Sequence, residues 1–175
     1  MNKRFKPITQ FAGADQFLRV QPGDSLRTKR YNSGAYVLII RINDCHSVHA
    51  GALQPIPFKP GYYAYVGSAL QNLNRRIARH FTKEKRLRWH IDYLLATKHA
   101  KAVFAVFAPS PKRVECSISQ RISKIGVAVP KFGSTDCHLC TGHLYFITKT
   151  GEGILSRILE VFRSLHLEPS IHKNI

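Results

Sequence analysis

The stretch 61-GYYAYVGSALQNLNRRIARHF-81 decides the fold expected for this chain of 175 residues. Its first half, GYYAYVGSA, is rich in tyrosine and ends in a Gly-Ser pair, which predicts a buried strand. Its second half changes to helical spacing, because Leu73, Ile77 and Phe81 recur every four residues and form one apolar stripe. A strand therefore leads directly into a basic helix, and a functional site is expected beside the turn between them.

Hydrophobic patterns along the rest of the chain predict three further strands and three further helices. The strands are GAYVLIIRI (34–42), KAVFAVFA (101–108) and GHLYFIT (142–148), and the helices are RWHIDYLLAT (88–97), PSPKRVECSISQRISKIG (109–126) and EGILSRILEVFRSL (152–165). The turn-rich segment VHAGALQPIPFKPG (48–61) predicts an edge strand interrupted by prolines. This order predicts an α/β fold of the α+β sandwich type, with a small mixed or antiparallel central sheet flanked by helices.

The charge balance favours a polyanionic partner. There are 27 Lys and Arg against 10 Asp and Glu, which gives a formal charge of +17, whereas small soluble domains usually carry about 2 to 8. Lysine and arginine neutralise phosphates and release counterions, so nucleic acid is the expected partner, and an anionic membrane surface is the weaker alternative. We find no apolar run long enough for a membrane span and no secretory signal pattern, so a cytoplasmic location is expected.

The helix after the turn places two functional side chains on one face. Arg76 and His80 are four residues apart and therefore lie one above the other, beside the apolar stripe. Their polar ends are expected to reach the rim where the helix meets the sheet. Tyr65 lies near the end of the preceding strand, next to Gly67. A guanidinium, an imidazole and a phenol close together can hold a phosphate and move protons. A basic, solvent-facing helix is the alternative explanation from the spacing alone.

The ordered motifs resemble the GIY-YIG nuclease superfamily. GAY at residues 34–36 and YVG at residues 65–67 are similar to its paired signatures, and RIARH at residues 76–80 is similar to its Arg-x-x-x-His helix. Together with RWHIDYLL, VECSIS and the FGSTDC to HLYF region, they resemble the Uri-type branch in particular. The resemblance covers roughly residues 34–148. Ala35 replaces the usual isoleucine, at a position that supplies a core side chain.

The chain is expected to have three segments. Little periodicity, many basic residues and several Gly and Pro indicate that residues 1–33 form a basic N-terminal extension, and an amphipathic pattern predicts that residues 149–175 form a C-terminal helix packed on the domain. The resemblance implies that residues 34–148 form a GIY-YIG-like nuclease domain. The implied activity is metal-dependent endonuclease cleavage of nucleic acid phosphodiesters, with DNA favoured over RNA and single-stranded or branched substrates possible. The alternative is a catalytically silent nucleic-acid-binding module with the same fold.

The resemblance also implies roles for particular residues. Glu115 would be the metal ligand, and a single carboxylate with water molecules suits Mg²⁺ or Mn²⁺. Tyr36 or Tyr65 would act as the general base or position the attacking water, and Arg76 would stabilise charge on the phosphate. His80 and His90 would transfer protons or orient the phosphate. A tyrosine can act as a base at neutral pH only if a nearby cation lowers its pKa.

A separate cluster carries metal-binding chemistry. TDCHLCTGHLYF contains Cys137, Cys140 and His143, and Cys-x-x-Cys is half of a zinc site. The fourth ligand is open between Cys116 and His138. Structural Zn²⁺ at this cluster is the minority interpretation, beside reduced thiols with Asp136 and His143 lining a cleft.

Residues 71–90 form a basic ridge that is expected to bind the nucleic acid backbone. The ridge residues are Arg75, Arg79, Lys83, Lys85, Arg86 and Arg88. Trp89 beside them either packs in the core or stacks on an unpaired base. A ridge that holds the backbone predicts preference for a structure or strand type, without tight sequence specificity.

Overall fold

The computed structural model describes residues 33–135 and 137–173, in which eight strands and four helices form an α+β sandwich. The strands are β1 (Gly34–Ile42), β2 (His46–Val48), β3 (Ile56–Phe58), β4 (Gly61–Ala69), β5 (Ala100–Pro109), β6 (Val127–Val129), β7 (Leu144–Thr148) and β8 (Ser170–Lys173). The helices are α1 (Leu73–Phe81), α2 (His90–Leu95), α3 (Glu115–Ile122) and α4 (Ile154–Arg163). Six strands form one antiparallel sheet in the order β6-β7-β4-β1-β5-β8, which confirms the predicted fold class.

The central strand β1 is buried on both faces, which explains its nearly uninterrupted apolar sequence. Because side chains alternate along a strand, Leu38 and Ile40 belong to the core shared with α1 and α2, whereas Val37 and Ile39 belong to the core shared with α3 and α4. The sheet therefore separates two hydrophobic layers. The amphipathic stripes predicted for the helices supply the other half of each layer.

Three local features differ from the sequence prediction. The edge strand expected at 48–61 is present as the short β3, which pairs with β2 in a separate two-stranded sheet and does not join the main one. Strand β6, which pairs with β7, was not predicted. The same holds for β8, which pairs with β5 and closes the other edge of the main sheet.

The segment after Thr148 is part of the same core. Ile154, Ile158 and Phe162 of α4 are buried against the sheet, and β8 extends it. The predicted helix is present, but the segment 149–175 also contributes a strand. The predicted extension 1–33 lies outside the described residues except for Ser33, whose Oγ donates to the carbonyl oxygen of Ser110 at 2.9 Å. Among the described helices we find none with the length and apolarity that a membrane crossing requires.

The antiparallel register of β1 and β4 places the start of β1 beside the end of β4. Tyr36 near the start of β1 lies opposite Gly67 near the end of β4. The chain then turns into α1 through Asn72, which has a left-handed backbone with φ 56°. Asparagine tolerates that conformation better than most residues. This end of the sheet is where the candidate site forms.

Candidate active site

An open cleft of about 810 Å³ lies where β4 passes into α1. Its walls come from the end of β4, from α1 and the start of α2, from the start of α3, and from the loop between β6 and β7. Four of the six side chains predicted to be catalytic line it, namely Tyr65, Arg76, His90 and Glu115. The fold thus brings together groups that lie up to 50 positions apart in the sequence.

Tyr36 and His80 form a buried pair behind the cleft wall. The Tyr36 hydroxyl lies 2.7 Å from His80 Nε2, and the two residues are 0% and 3% exposed. The expectation that the His80 imidazole reaches the rim is therefore wrong. Gly67 makes room for this pair, because a Cβ at that position would lie 2.5 Å from the Tyr36 ring and hydroxyl.

Burial shifts the titration of this pair away from neutral pH. It raises the pKa of Tyr36 to about 12, although the charge of Arg76 acts in the opposite direction. It also raises the pKa of Tyr65 well above its ordinary value, and it lowers the pKa of His80 to about 3. Both phenols therefore stay protonated at neutral pH and can donate hydrogen bonds. Neither phenol can therefore act as a base at neutral pH.

Arg76 reaches the cleft across the face of Trp89. Its guanidinium carbon lies 4.2 Å from the centre of the Trp89 ring, and that of Arg79 lies 4.8 Å away. A guanidinium over an indole gains cation–π attraction and is restricted in its rotamers. Trp89 is half-buried and also packs near His80. Its contacts indicate that it fixes Arg76, and they do not favour stacking on a base.

The buried carboxylate of Asp92 pairs with two residues of the basic ridge, Arg79 and Lys85. Asp92 is fully buried and accepts from the Arg79 guanidinium at 3.0 and 3.3 Å and from the backbone N–H groups of Arg88 and Trp89 at 3.0 and 3.1 Å. Lys85 Nζ lies 3.5 Å from Oδ1 of Asp92, whereas the two backbone N–H groups donate to Oδ2. Asp92 occupies the third position of α2, where a carboxylate satisfies free N–H groups. Arg79 and Lys85 thus point inward to Asp92, a residue that the sequence did not single out as a partner.

The other four predicted ridge residues, Arg75, Lys83, Arg86 and Arg88, are exposed. Of these four, Arg88 lines the cleft. Arg113, which precedes α3, lines it too and was not singled out from the sequence. Together with Arg76 of α1, these residues give the cleft three arginines from three separate segments.

His90 supports the loop that closes the cleft. Its Nδ1 accepts from the backbone N–H of Gly133 at 3.1 Å, and its ring contacts Phe132 with centroids 5.6 Å apart. Burial lowers the pKa of His90. Since Nδ1 is occupied as an acceptor, the neutral ring carries its proton on Nε2. In this geometry, the neutral His90 ring can act as a hydrogen-bond donor through Nε2–H.

Glu115, the first residue of α3, is held by both carboxylate oxygens. Oε2 accepts from the Ser68 hydroxyl at 2.5 Å, and Oε1 lies 3.3 Å from His143 Nδ1. Burial alone would raise its pKa, but the contacts with His143 and Ser68 and the charge of Arg76 outweigh it, so the pKa of Glu115 is lowered. The carboxylate is therefore ionised at neutral pH, and its side chain remains 27% exposed towards the cleft. Sequence spacing carried no signal for Ser68.

Four further side chains form a cluster that could hold a metal ion. The ligand atoms of Cys116, Cys137, Cys140 and His143 all lie within 4.8 Å of one another. Two of the sulfurs, on Cys116 and Cys137, are 3.6 Å apart. The structure thus brings Cys116 into the position that the sequence left open, whereas His138 is exposed. Asp136 lies outside the described residues.

Fold and cleft together define an α+β domain with a basic, carboxylate-containing cleft and an adjoining thiol-rich cluster. A family model described as domain of unknown function DUF123 matches residues 35–167, and the chain belongs to this family. No curated protein and no solved structure matches the chain. The matched range includes the buried Tyr36, the cleft residues from Tyr65 to His143 and also α4, in agreement with the shared core.

Proposed function

We propose that the protein is a divalent-metal-dependent endonuclease that hydrolyses phosphodiester bonds in nucleic acid, with DNA preferred over RNA. One observation carries the proposal: an ionised carboxylate, a guanidinium and a protonated phenol line the same cleft. These groups belong to Glu115, Arg76 and Tyr65, and they come from three different elements. The formal charge of +17 supports a polyanionic substrate.

The proposed reaction is hydrolysis at phosphorus. The oxygen of a water molecule forms a bond to phosphorus, one ester P–O bond breaks, the water loses a proton to bulk solvent, and the leaving oxygen takes up a proton. Arg76 would stabilise the negative charge that develops on the phosphate oxygens, because it is fixed over Trp89 before substrate arrives. The Tyr65 hydroxyl would donate a hydrogen bond that orients the water or the phosphate.

The carboxylate fits the divalent ion that this reaction needs. Glu115 is ionised, and its contacts with Ser68 and His143 leave further lone pairs on both oxygens. Mg²⁺ or Mn²⁺ binds carboxylate oxygens and keeps several waters, so a single protein carboxylate suffices with the substrate phosphate. Such an ion would neutralise charge on the leaving oxygen.

The cleft favours recognition of the backbone over recognition of bases. Arg88 and Arg113 line it, and arginine pairs with phosphate through two parallel hydrogen bonds. The Trp89 ring already contacts the guanidinium groups of Arg76 and Arg79, so it does not favour stacking on a base. We therefore expect discrimination by strand type or junction geometry, with little sequence preference.

A cleavage assay with matched variants tests the proposal. Purified protein is incubated with labelled single-stranded, duplex, flap and junction DNA and the matching RNAs, with Mg²⁺ or Mn²⁺ added or withheld. Glu115→Ala and Arg76→Ala should each lower the rate by about 10²-fold or more, whereas Arg163→Ala, at an exposed position of α4 outside the cleft, should change it little. Equal cutting by Glu115→Ala and wild type would reject the site. Tight binding without cutting would favour the silent binding module.

We also propose that the cluster of three cysteines and His143 binds structural Zn²⁺. Zinc–sulfur bonds of about 2.3 Å in a tetrahedron place two sulfurs about 3.8 Å apart, and the Cys116–Cys137 separation of 3.6 Å agrees with that value. Thiolates select zinc over magnesium, which separates this site from the carboxylate site. Elemental analysis of protein purified without a histidine tag should give one zinc per chain. A metal-free protein that takes up no added Zn²⁺ would end this proposal.

A further inference from the structure

The structure points to a direct link between the cysteine cluster and the nuclease carboxylate. We propose that His143 binds the zinc ion through Nε2 and donates through its Nδ1–H to Glu115, so that the bound zinc positions the carboxylate that acts on the substrate. The inference rests on the zinc site and on the role of Glu115 proposed above. In it, His143 is a positioning residue for Glu115.

The orientation of the His143 ring carries the first step. Both ring nitrogens of His143 are buried without a hydrogen bond among the described residues, and Nδ1 is the one that lies 3.3 Å from Glu115 Oε1. Nε2 is therefore the nitrogen left for the cluster, whose ligand atoms lie within 4.8 Å of one another. The residue is 4% exposed, so solvent does not replace these partners. A zinc-bound histidine usually donates its second N–H to a carboxylate, which fixes both the tautomer and the ring orientation.

The backbone holds His143 in the same place from both sides. Its N–H donates to the carbonyl oxygen of Phe132 at 2.8 Å, and its own carbonyl accepts from the N–H of Val66 at 2.8 Å. Strand β4 thus supports the histidine as well as the serine that holds the other oxygen of Glu115. The carboxylate lies between two partners, of which one is fixed by the sheet and the other would be fixed by zinc.

A second connection runs through α3. Cys116 follows Glu115 directly in the sequence, so a ligand of the cluster and the carboxylate share the first turn of one helix. Binding zinc at Cys116 would fix the backbone from which the Glu115 side chain extends. Two independent contacts therefore couple occupancy of the cluster to the geometry of the carboxylate.

Coupling between two sites is reciprocal, so Glu115 must also strengthen zinc binding. Loss of a carboxylate that supports a metal-bound histidine typically weakens metal affinity about 10–100-fold. Glu115→Ala should therefore lower the affinity for Zn²⁺ by about that factor, although Glu115 is not a ligand. Ser68→Ala is the matched control, because it removes the other partner of the same carboxylate and leaves the histidine contact in place.

The experiment measures Zn²⁺ affinity of the full chain by competition with a chromophoric chelator. His143→Cys should keep one zinc per chain in an all-cysteine site, and in that background Glu115→Ala should cause no further loss of affinity beyond that of Ser68→Ala. Substitution with Co²⁺ reports the ligand set through its thiolate and ligand-field absorption bands. Wild-type affinity in Glu115→Ala would overturn the coupling, and this arm remains informative even if His143→Cys fails to fold.

The same variants separate this inference from the proposed nuclease activity. His143→Cys with zinc bound should lose most DNA nicking, because the carboxylate is no longer oriented. If wild type cuts no substrate but Glu115→Ala still binds zinc more weakly, the coupling stands and the nuclease proposal falls. If Glu115→Ala stops cleavage and binds zinc as tightly as wild type, the nuclease proposal stands and the coupling falls.

Discussion

Replacing His80 by glutamine should remove much of the sensitivity of the fold to mild acid. His80 is 3% exposed, and its burial lowers the pKa from an ordinary 6.5 to about 3. The unfolded chain therefore binds a proton at this residue below pH 6.5, while the folded protein does not until about pH 3. Because the unfolded state binds more protons in that window, the free energy of unfolding is highest above pH 6.5 and decreases as the pH falls.

The size of the effect follows from these two pKa values. Between pH 7.5 and pH 5, the difference in proton binding at His80 removes about 2 kcal/mol of stability. Between the ordinary pKa of 6.5 and the lowered pKa of about 3, the largest loss of stability that His80 can cause is about 5 kcal/mol, since each pH unit corresponds to about 1.4 kcal/mol. Either figure is large compared with the roughly 5–15 kcal/mol that stabilises a typical domain.

Urea unfolding at pH 5 and at pH 7.5 measures the effect. The change in the free energy of unfolding between the two pH values should be about 2 kcal/mol smaller in His80→Gln than in wild type. His172, whose pKa is also lowered by burial, is present in both proteins and cancels in the comparison. The exposed His138→Gln serves as a control that should keep the wild-type pH dependence. The same acid loss in wild type and His80→Gln would refute the reasoning.

Three further substitutions test the buried partners around the cleft. Asp92→Asn should cost about 3–5 kcal/mol in urea unfolding, because it leaves buried cations without their counter-charge, and a loss below 1 kcal/mol would contradict this. Gly67→Ala should cost about 1–3 kcal/mol and lower DNA nicking, since the new Cβ would lie 2.5 Å from the Tyr36 ring; unchanged stability would show that the ring moves freely. Arg76→Lys should lower the nicking rate at least about tenfold through loss of the planar guanidinium, with the exposed Arg163→Lys of α4 near wild type; equal rates in Arg76→Lys and wild type would remove Arg76 from the reaction.

The strands that could be predicted are those whose own residues form a long apolar run. Strands β1 and β4 have nine residues each, most of them buried, and such runs are recognisable without knowledge of their neighbours. Strands β6 and β8 have three and four residues. Elements that short are defined by pairing with β7 and β5, and their own sequences carry little periodicity.

Helical spacing predicted on which side of α1 the functional side chains lie, but it did not predict how deeply they are buried. Arg76 and His80 do lie on the same side of α1, as a separation of four residues requires. The imidazole is nevertheless buried, because the Tyr36 ring crosses beside Gly67 and brings a hydroxyl to Nε2. Only the register of β1 against β4 contains that information.

The number of basic residues in a segment likewise does not show which of them pair with a buried carboxylate and which face the cleft. Arg79 and Lys85 lie in the same basic segment as Arg88, yet both reach the buried Asp92 while Arg88 faces the cleft. The segment offers the same residue types in each case. Their separation depends on the third position of α2 being close to the last turn of α1, a tertiary contact.

The start of α3 shows why one short motif can serve two kinds of chemistry. Consecutive residues on a helix point about 100° apart, so Glu115 reaches Ser68 and His143 while Cys116 reaches Cys137, although both residues line the same cleft. A hard carboxylate and a soft thiolate are thereby held on one turn with different partners, as ions of different preference require. His143 lies between them and contacts both groups of residues. From Glu-Cys alone the sequence indicates neither site; the helix geometry and one histidine 27 residues beyond Cys116 create both.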